Sequence, residues 1–297
     1  MHRAVRTAGT CGLALACCLC GIAPGAALDD ARPADRRAVQ PSPSTASGLP
    51  WDGRLEGAVR LRRTAILRPV AEYARRGNFY GTSELVSMLE RTAQAIAVRW
   101  PGSQLAVGEL SARSGGKLDR HHSHRNGRDA DVAFFMRDRR GRSALFRRFV
   151  SFDGQGMALG TRRTLHFDDA RNWAAVATML RDPHARVQYM FVSRSLRTRL
   201  LMEGRRQAAS DDFLRAAAAV MVEPKNGHKH DNHFHVRIYC PRDDRPGCQD
   251  GEPYWPWYDG SPPAGQYAEL PIIEWRMPGV VSPARQAQRA SSDPRSI

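Results

Sequence analysis

The sequence predicts an α+β fold: one domain in which a small antiparallel sheet is flanked by packed helices. Three observations lead there. The chain of 297 residues is 42% hydrophobic and 25% charged, ordinary values for a globular protein with a sizeable core. Stretches of helical and strand periodicity follow one another in mixed order across residues 49–277. Two histidine-rich stretches, remote in sequence, adjoin predicted strands, which asks for a sheet that brings them together.

Residues 1–27 stand apart from the fold. Arg3 and Arg6 form a basic start, residues 8–22 an apolar run, and Gly25-Ala26-Ala27 a small-residue cleavage site. That is the pattern of a secretory signal peptide, and the run is short for a membrane span. Leu15 and Cys18 also admit a lipoprotein signal, but Cys17 stands where such signals carry a small residue. Residues 28–48, rich in Ala, Pro, Arg and Ser, read as a disordered linker.

Within the domain, Thr82 can cap a helix whose apolar positions are Leu85, Met88, Leu89, Thr92 and Ile96, and Pro101-Gly102 ends it. Residues 105–110 read as a strand and residues 111–116 as a loop. Residues 131–136 form a buried strand that opens on the carboxylate of Asp131. Residues 137–163 are polar and glycine-bearing, an insertion or an active-site loop. Asp168 and Asp169 suit the first turn of a helix striped by Trp173, Val176, Ala177 and Leu180. A strand at 187–192, a helix capped by Ser193, an alanine-rich helix at 211–220 and a strand at 233–239 follow. The aromatic cluster at 254–258 reads as local packing over a loop in preference to a ligand groove. Residues 270–275 form a last strand, and residues 278–297 a disordered tail.

Of the six cysteines, Cys240 and Cys248 lie outside the signal, and in an oxidising compartment they pair with each other. Losing the two signal arginines, Arg3 and Arg6, takes the formal charge from +15 to +13. A basic exported protein is drawn to anionic polymers. The arginines are scattered along the chain, however, and no phosphate-directed basic loop accompanies the histidines, which argues against a specific nucleic-acid partner or a metal nuclease.

Seven of the ten histidines fall in the windows 121–131 and 228–235. Neutral imidazole is the commonest metal ligand, so this concentration points to a transition-metal site. A turn through Gly127 can bring His124 beside Asp131. His233 and His235 alternate along a strand, so both imidazoles share a face while Phe234 and Val236 turn to the core. Two histidines and a carboxylate with an open fourth position form a catalytic zinc shell. His233, two residues from His235, suits proton transfer, and His230 suits orienting water or stabilising an oxyanion.

At these residues the chain resembles the penicillin-insensitive murein endopeptidases, relatives of the lysostaphin-type peptidases, the D-Ala-D-Ala metallopeptidases and the hedgehog signalling domain. His121, Ser123, His124, Gly127, Asp129 and Asp131 match the first family motif. His230, Asp231, His233, Phe234, His235, Val236 and Arg237 match the second, and Cys240-Pro241 follows it. Weaker agreement covers Gly108-Glu109-Leu110-Ser111 and Phe191-Val192-Ser193. The resemblance implies His124, Asp131 and His235 as zinc ligands, His121 as a further metal-site histidine, His233 as catalytic base and His230 as its partner. It also implies hydrolysis of D-alanyl–diaminopimelate cross-links in peptidoglycan, and a periplasmic location. Residues 224–229 lack the tryptophan that the family carries before the second motif, which bears on substrate preference. The alternatives are a D,D-carboxypeptidase or dipeptidase acting on uncross-linked stem peptides, and a noncatalytic zinc module that binds the wall.

Overall fold

A computed structural model describes residues 44–145, 147–160 and 164–273, which lie in one unit of the chain. The segments expected to be a signal peptide, most of a linker and a tail lie outside the described residues. Thr45–Leu49 (β1) pairs antiparallel with Asp52–Glu56 (β2), and Val59–Arg60 (β3) is followed by Leu67–Pro69 (β4) and Tyr80–Gly81 (β5). The linker expected to reach residue 48 therefore gives way to a strand at Thr45. Its partners are remote: buried Ala46 packs on Cys240 and Cys248, its N–H donates to Asp244 Oδ2 at 2.7 Å, and Gly48 N–H donates to Gly247 O. Local composition carries no sign of that docking. The expected Cys240–Cys248 disulfide is present.

Ser83–Arg99 forms α1, its Thr82 cap accepting from Leu85 N–H, with Leu85, Met88, Leu89 and Ile96 buried as their spacing predicts. Leu105–Val107 (β6), Asp129–Ala133 (β7), Met136–Arg137 (β8), Ser143–Ala144 (β9) and His166–Phe167 (β10) follow. Thus the strand expected at 131–136 starts two residues early and breaks after Ala133. The polar segment at 137–163 is partly a hairpin, and its middle is not polar: Val150 and Phe152 enter the core, Phe152 against Phe134 and Phe167.

Asp169–Leu180 (α2) is capped by the Asp168 carboxylate, and Val187–Phe191 (β11) leads to Arg194–Arg206 (α3). Ser193 occupies the cap position of α3 but makes no capping bond. Glu223 Oε2 accepts from Arg194 N–H instead, at 2.8 Å. Asp211–Val220 (α4), Met221–Val222 (β12) and His233–Ile238 (β13) complete the regular elements of the site region. Residues 270–273 are not a strand; Leu270 and Ile273 pack on the core from an irregular segment. The aromatic cluster is local packing, with the indole N–H groups of Trp255 and Trp257 donating to Gln188 O and Val187 O. No helix among the described residues is long and apolar enough to cross a membrane.

The architecture is α+β as expected, but the sheet is six-stranded and mixed, in the order β12-β11-β13-β7-β6-β4. Its outer pairs are parallel and its centre is antiparallel. Ala130, Val132, Phe234, Val236 and Ile238 on one face join the helices in the main core. Because side chains alternate, Asp129, Asp131, His233, His235 and Arg237 share the opposite face.

Helices α1 to α4 pack in succession, α1 on α2, α2 on α3 and α3 on α4. At the α2–α3 contact, a Cβ added to Gly204 would lie 2.4 Å from the buried indole of Trp173. A helical Gly→Ala change gains about 1 kcal/mol in propensity. Pushing a buried indole, itself packed on Phe213 at 5.9 Å, costs about 1–3 kcal/mol. Gly204→Ala should therefore lower the unfolding midpoint in urea, and an unchanged or higher midpoint would show that the ring yields freely.

Candidate metal centre

The register of β13 on β7 sets His235 opposite Asp131, Arg237 opposite Asp129 and His233 opposite Ala133. The first histidine stretch reaches the same place from the other side of a turn through Gly127, with His124 itself at φ 65°. His124 is fully buried. Its Nδ1 lies 2.6 Å from Leu110 O, an acceptor only, so that nitrogen carries the proton and Nε2 presents its lone pair. His235 has the mirror arrangement: Nε2 donates to the Asp129 carboxylate at 2.9 Å, and Nδ1 faces inward. His121 Nε2 contacts Glu109 Oε2 at 3.0 Å, and its Nδ1 lies 3.9 Å from Asp131 Oδ2.

Three distances define the centre. His124 Nε2 to His235 Nδ1 is 3.3 Å, His124 Nε2 to Asp131 Oδ1 is 3.4 Å, and His235 Nδ1 to Asp131 Oδ1 is 3.2 Å. Bonds of about 2.0–2.2 Å at tetrahedral angles separate zinc ligands by about 3.4 Å. Asp131 Oδ1 is buried with no hydrogen-bond partner, a costly position for a carboxylate oxygen without a cation. The donor set, its spacing and this orphaned oxygen all fit a metal ion. His121, His124 and Asp131 also form a group whose ligand atoms lie within 4.8 Å of one another, so His121 adjoins the centre from the Glu109 side. The sequence's four candidate ligands are thus brought together, three in a tight triangle and His121 beside it.

His233 sits at the rim. Its Nε2 is 3.4 Å from Asp131 Oδ1, and its Nδ1 is 2.5 Å from Asn232 Oδ1. His230, at φ 52°, bonds through Nδ1 to the carbonyl of His228 at 2.7 Å, and its ring lies 5.1 Å from that of His233. His122 and His228 are exposed and take no part through their rings in the triangle.

The buried groups of the site shift one another's proton affinities. Burial disfavours imidazolium at His235, yet the hydrogen bond to Asp129 and the nearby Asp131 carboxylate push it up to about 9. Burial pushes His124 down despite Asp131. Burial would raise the Asp131 carboxyl, but His124 and His233 hold it well below the usual carboxylate range. His230 falls to about 4, mainly through burial and then through His233 and His235.

Two buried carboxylates at the site were not among the sequence's candidates. Asp129 accepts from Arg237 Nε at 2.7 Å, from His235 and from the backbone of His124. Glu109 accepts from Arg76, Asn78 and His121. The signal for Asp129 was its alternation with Asp131, visible once the strand is started two residues earlier. Beside the second motif, an open hollow of about 560 Å³ is lined by Phe152, Leu159, Arg194, Glu223, Lys229 and Asp231 among others.

Comparisons with known proteins agree with this picture. A family model described as penicillin-insensitive murein endopeptidase matches residues 47–292. A protein of that name from Haemophilus influenzae is 30% identical over 175 residues, which cover 57% of this chain and 54% of the relative. The aligned chain thus spans about half the length of the curated relative. The family match runs from within β1 to beyond the last described residue, both histidine stretches included, and on that ground the chain belongs to the penicillin-insensitive murein endopeptidase family.

Proposed function

We propose that this chain is an exported, periplasmic zinc endopeptidase that hydrolyses D-alanyl–diaminopimelate cross-links of peptidoglycan. The observation that carries the reading is the triangle of His124, His235 and Asp131, spaced for a tetrahedral ion and bordered by two further imidazoles at its rim. His124 through Nε2, His235 through Nδ1 and Asp131 through Oδ1 would hold the zinc, with His121 as a further donor. When bound, zinc supplies Lewis acidity toward the scissile carbonyl and lowers the pKa of water at that bond.

The remaining chemistry belongs to the chain's own groups. With Nδ1 donating to Asn232 Oδ1, His233 in its neutral form offers a bare Nε2 on the metal side. It takes the proton of the attacking water there and returns it to the leaving amine. His230 is tied through Nδ1–H to the His228 carbonyl, so in its neutral form Nε2 accepts a hydrogen bond. That favours orienting the water over donating to an oxyanion. Asp129, neutralised by Arg237, fixes the His235 tautomer and ring, and the Leu110 carbonyl does the same for His124. The basic charge suits an anionic wall polymer.

Digestion of purified sacculi, with muropeptides resolved by mass, tests the reaction. Loss of cross-linked dimers is expected; release of terminal D-Ala alone would identify a carboxypeptidase, and an unchanged profile a binding module. His233→Ala should keep its zinc and lose about 10²–10⁴-fold in turnover. Asp129→Asn should keep the fold and weaken zinc affinity about 10- to 100-fold, read by competition with a chelator. Unaltered affinity would remove Asp129 from the support of the metal.

A further inference from the structure

We propose that Phe149 is a positioning residue that holds the His233 imidazole in its working orientation, an inference that rests on the reading of His233 as the base. The two rings are stacked, centroids 4.4 Å apart and planes only 10° from parallel. That contact covers one face of His233, and His230 lies near the same imidazole with its ring tilted by 51°. The stack holds the ring plane, since any turn about the ring bond short of a half-turn breaks it, and the Nδ1 hydrogen bond to Asn232 opposes the half-turn. Its Nδ1 therefore stays on Asn232 and its Nε2 stays on the Asp131 side.

Phe149 is itself fixed from several directions. Tyr73 packs on it at 5.0 Å, and both rings lie on a patch made of Val70, Ala106 and Ala133. The segment before it is tied down by the hydrogen bond from Glu72 N–H to Arg147 O, 2.8 Å long. Gly108 completes the seat. A Cβ there would lie 2.5 Å from Phe149 Cζ and 3.1 Å from Asp131 Cβ, so only glycine lets the ring tip rest against the backbone beside the metal centre. Gly108 also donates its N–H to Asp131 O at 2.7 Å, which makes the seat continuous with β7. No other aromatic ring among the described residues lies flat on a histidine of the site.

The test compares Phe149→Ala, Phe149→Leu and Phe149→Tyr in steady-state hydrolysis of a cross-linked muropeptide dimer, with zinc content and thermal unfolding measured alongside. Phe149→Leu keeps most of the volume without the flat face, so it remains informative if the alanine variant folds poorly. Loss of kcat of about 10- to 100-fold is expected for the alanine and leucine variants, with KM and zinc content held, because a misaligned base loses rate and not affinity. Phe149→Tyr keeps the flat face and should restore kcat. In a His233→Ala background, Phe149→Ala should cost nothing further. Wild-type kcat in Phe149→Leu, a rise in KM with kcat intact, or an additive loss in the His233→Ala background would each overturn the proposal. Full turnover by His233→Ala would instead overturn the reading of the base on which it rests.

Discussion

Pairing of β7 with β13 sets His235 against Asp131 and Arg237 against Asp129, and the chemistry of the site hangs on that register. Strand side chains alternate, so a one-residue slip of either strand would send its polar groups into the core and bring its apolar residues out, Ala130 and Val132 from β7 or Phe234 and Val236 from β13. The apolar face prevents the slip, since all four of those residues are buried in the main cluster beneath the helices. Packing on one side of the sheet thereby fixes the geometry of the proposed ligands on the other. The pairing is held beyond the strand ends as well. Fully buried Arg128 donates to Ile238 O, to Gln249 O and to the Asp250 carboxylate, joining the start of β7 to the end of β13 and to the disulfide loop.

The site concentrates buried charge, and its stability depends on how that charge is matched. Asp129, Asp131 and Glu109 are all nearly inaccessible. Burial alone would raise each carboxyl. Arg237 and His235 hold Asp129 far below the usual range, and hydrogen bonds from His121, Asn78 and Arg76 bring Glu109 down to about 2. Asp129 and Glu109 each engage one nitrogen of a histidine, that of His235 and that of His121, and leave the other on the side of Asp131. These two carboxylates therefore do two things at once: they pair with the Arg237 and Arg76 guanidinium groups and they set the tautomers at the candidate metal centre. Asp131 is the exception, because its Oδ1 has no hydrogen-bond partner of its own. That oxygen is where the proposed zinc would complete the balance.

Much of this was legible in the sequence because the decisive features are local. Alternation in His233-Phe234-His235-Val236 announces a strand with two faces, and α1 shows its apolar stripe and its Thr82 cap within a few turns. Long-range contacts were not legible. The strand at Thr45 exists because Ala46 docks on the disulfide loop, and the cap of α3 comes from Glu223 and not from neighbouring Ser193. Asp129 was hidden by placing the strand start at Asp131, a boundary error of two residues that conceals a same-face neighbour. Phe149 lay inside a segment read as polar, and only the folded chain brings it over His233.

The most direct test of the metal assignment is anomalous diffraction at the zinc edge on crystals of the zinc-loaded protein, compared with Asp131→Ala. The account predicts one zinc peak bonded to His124 Nε2, His235 Nδ1 and Asp131 Oδ1 at about 2.0–2.2 Å, with the peak lost in the variant. A zinc peak held by His228 and His230 on the outer loop, or one that survives intact in Asp131→Ala, would contradict it.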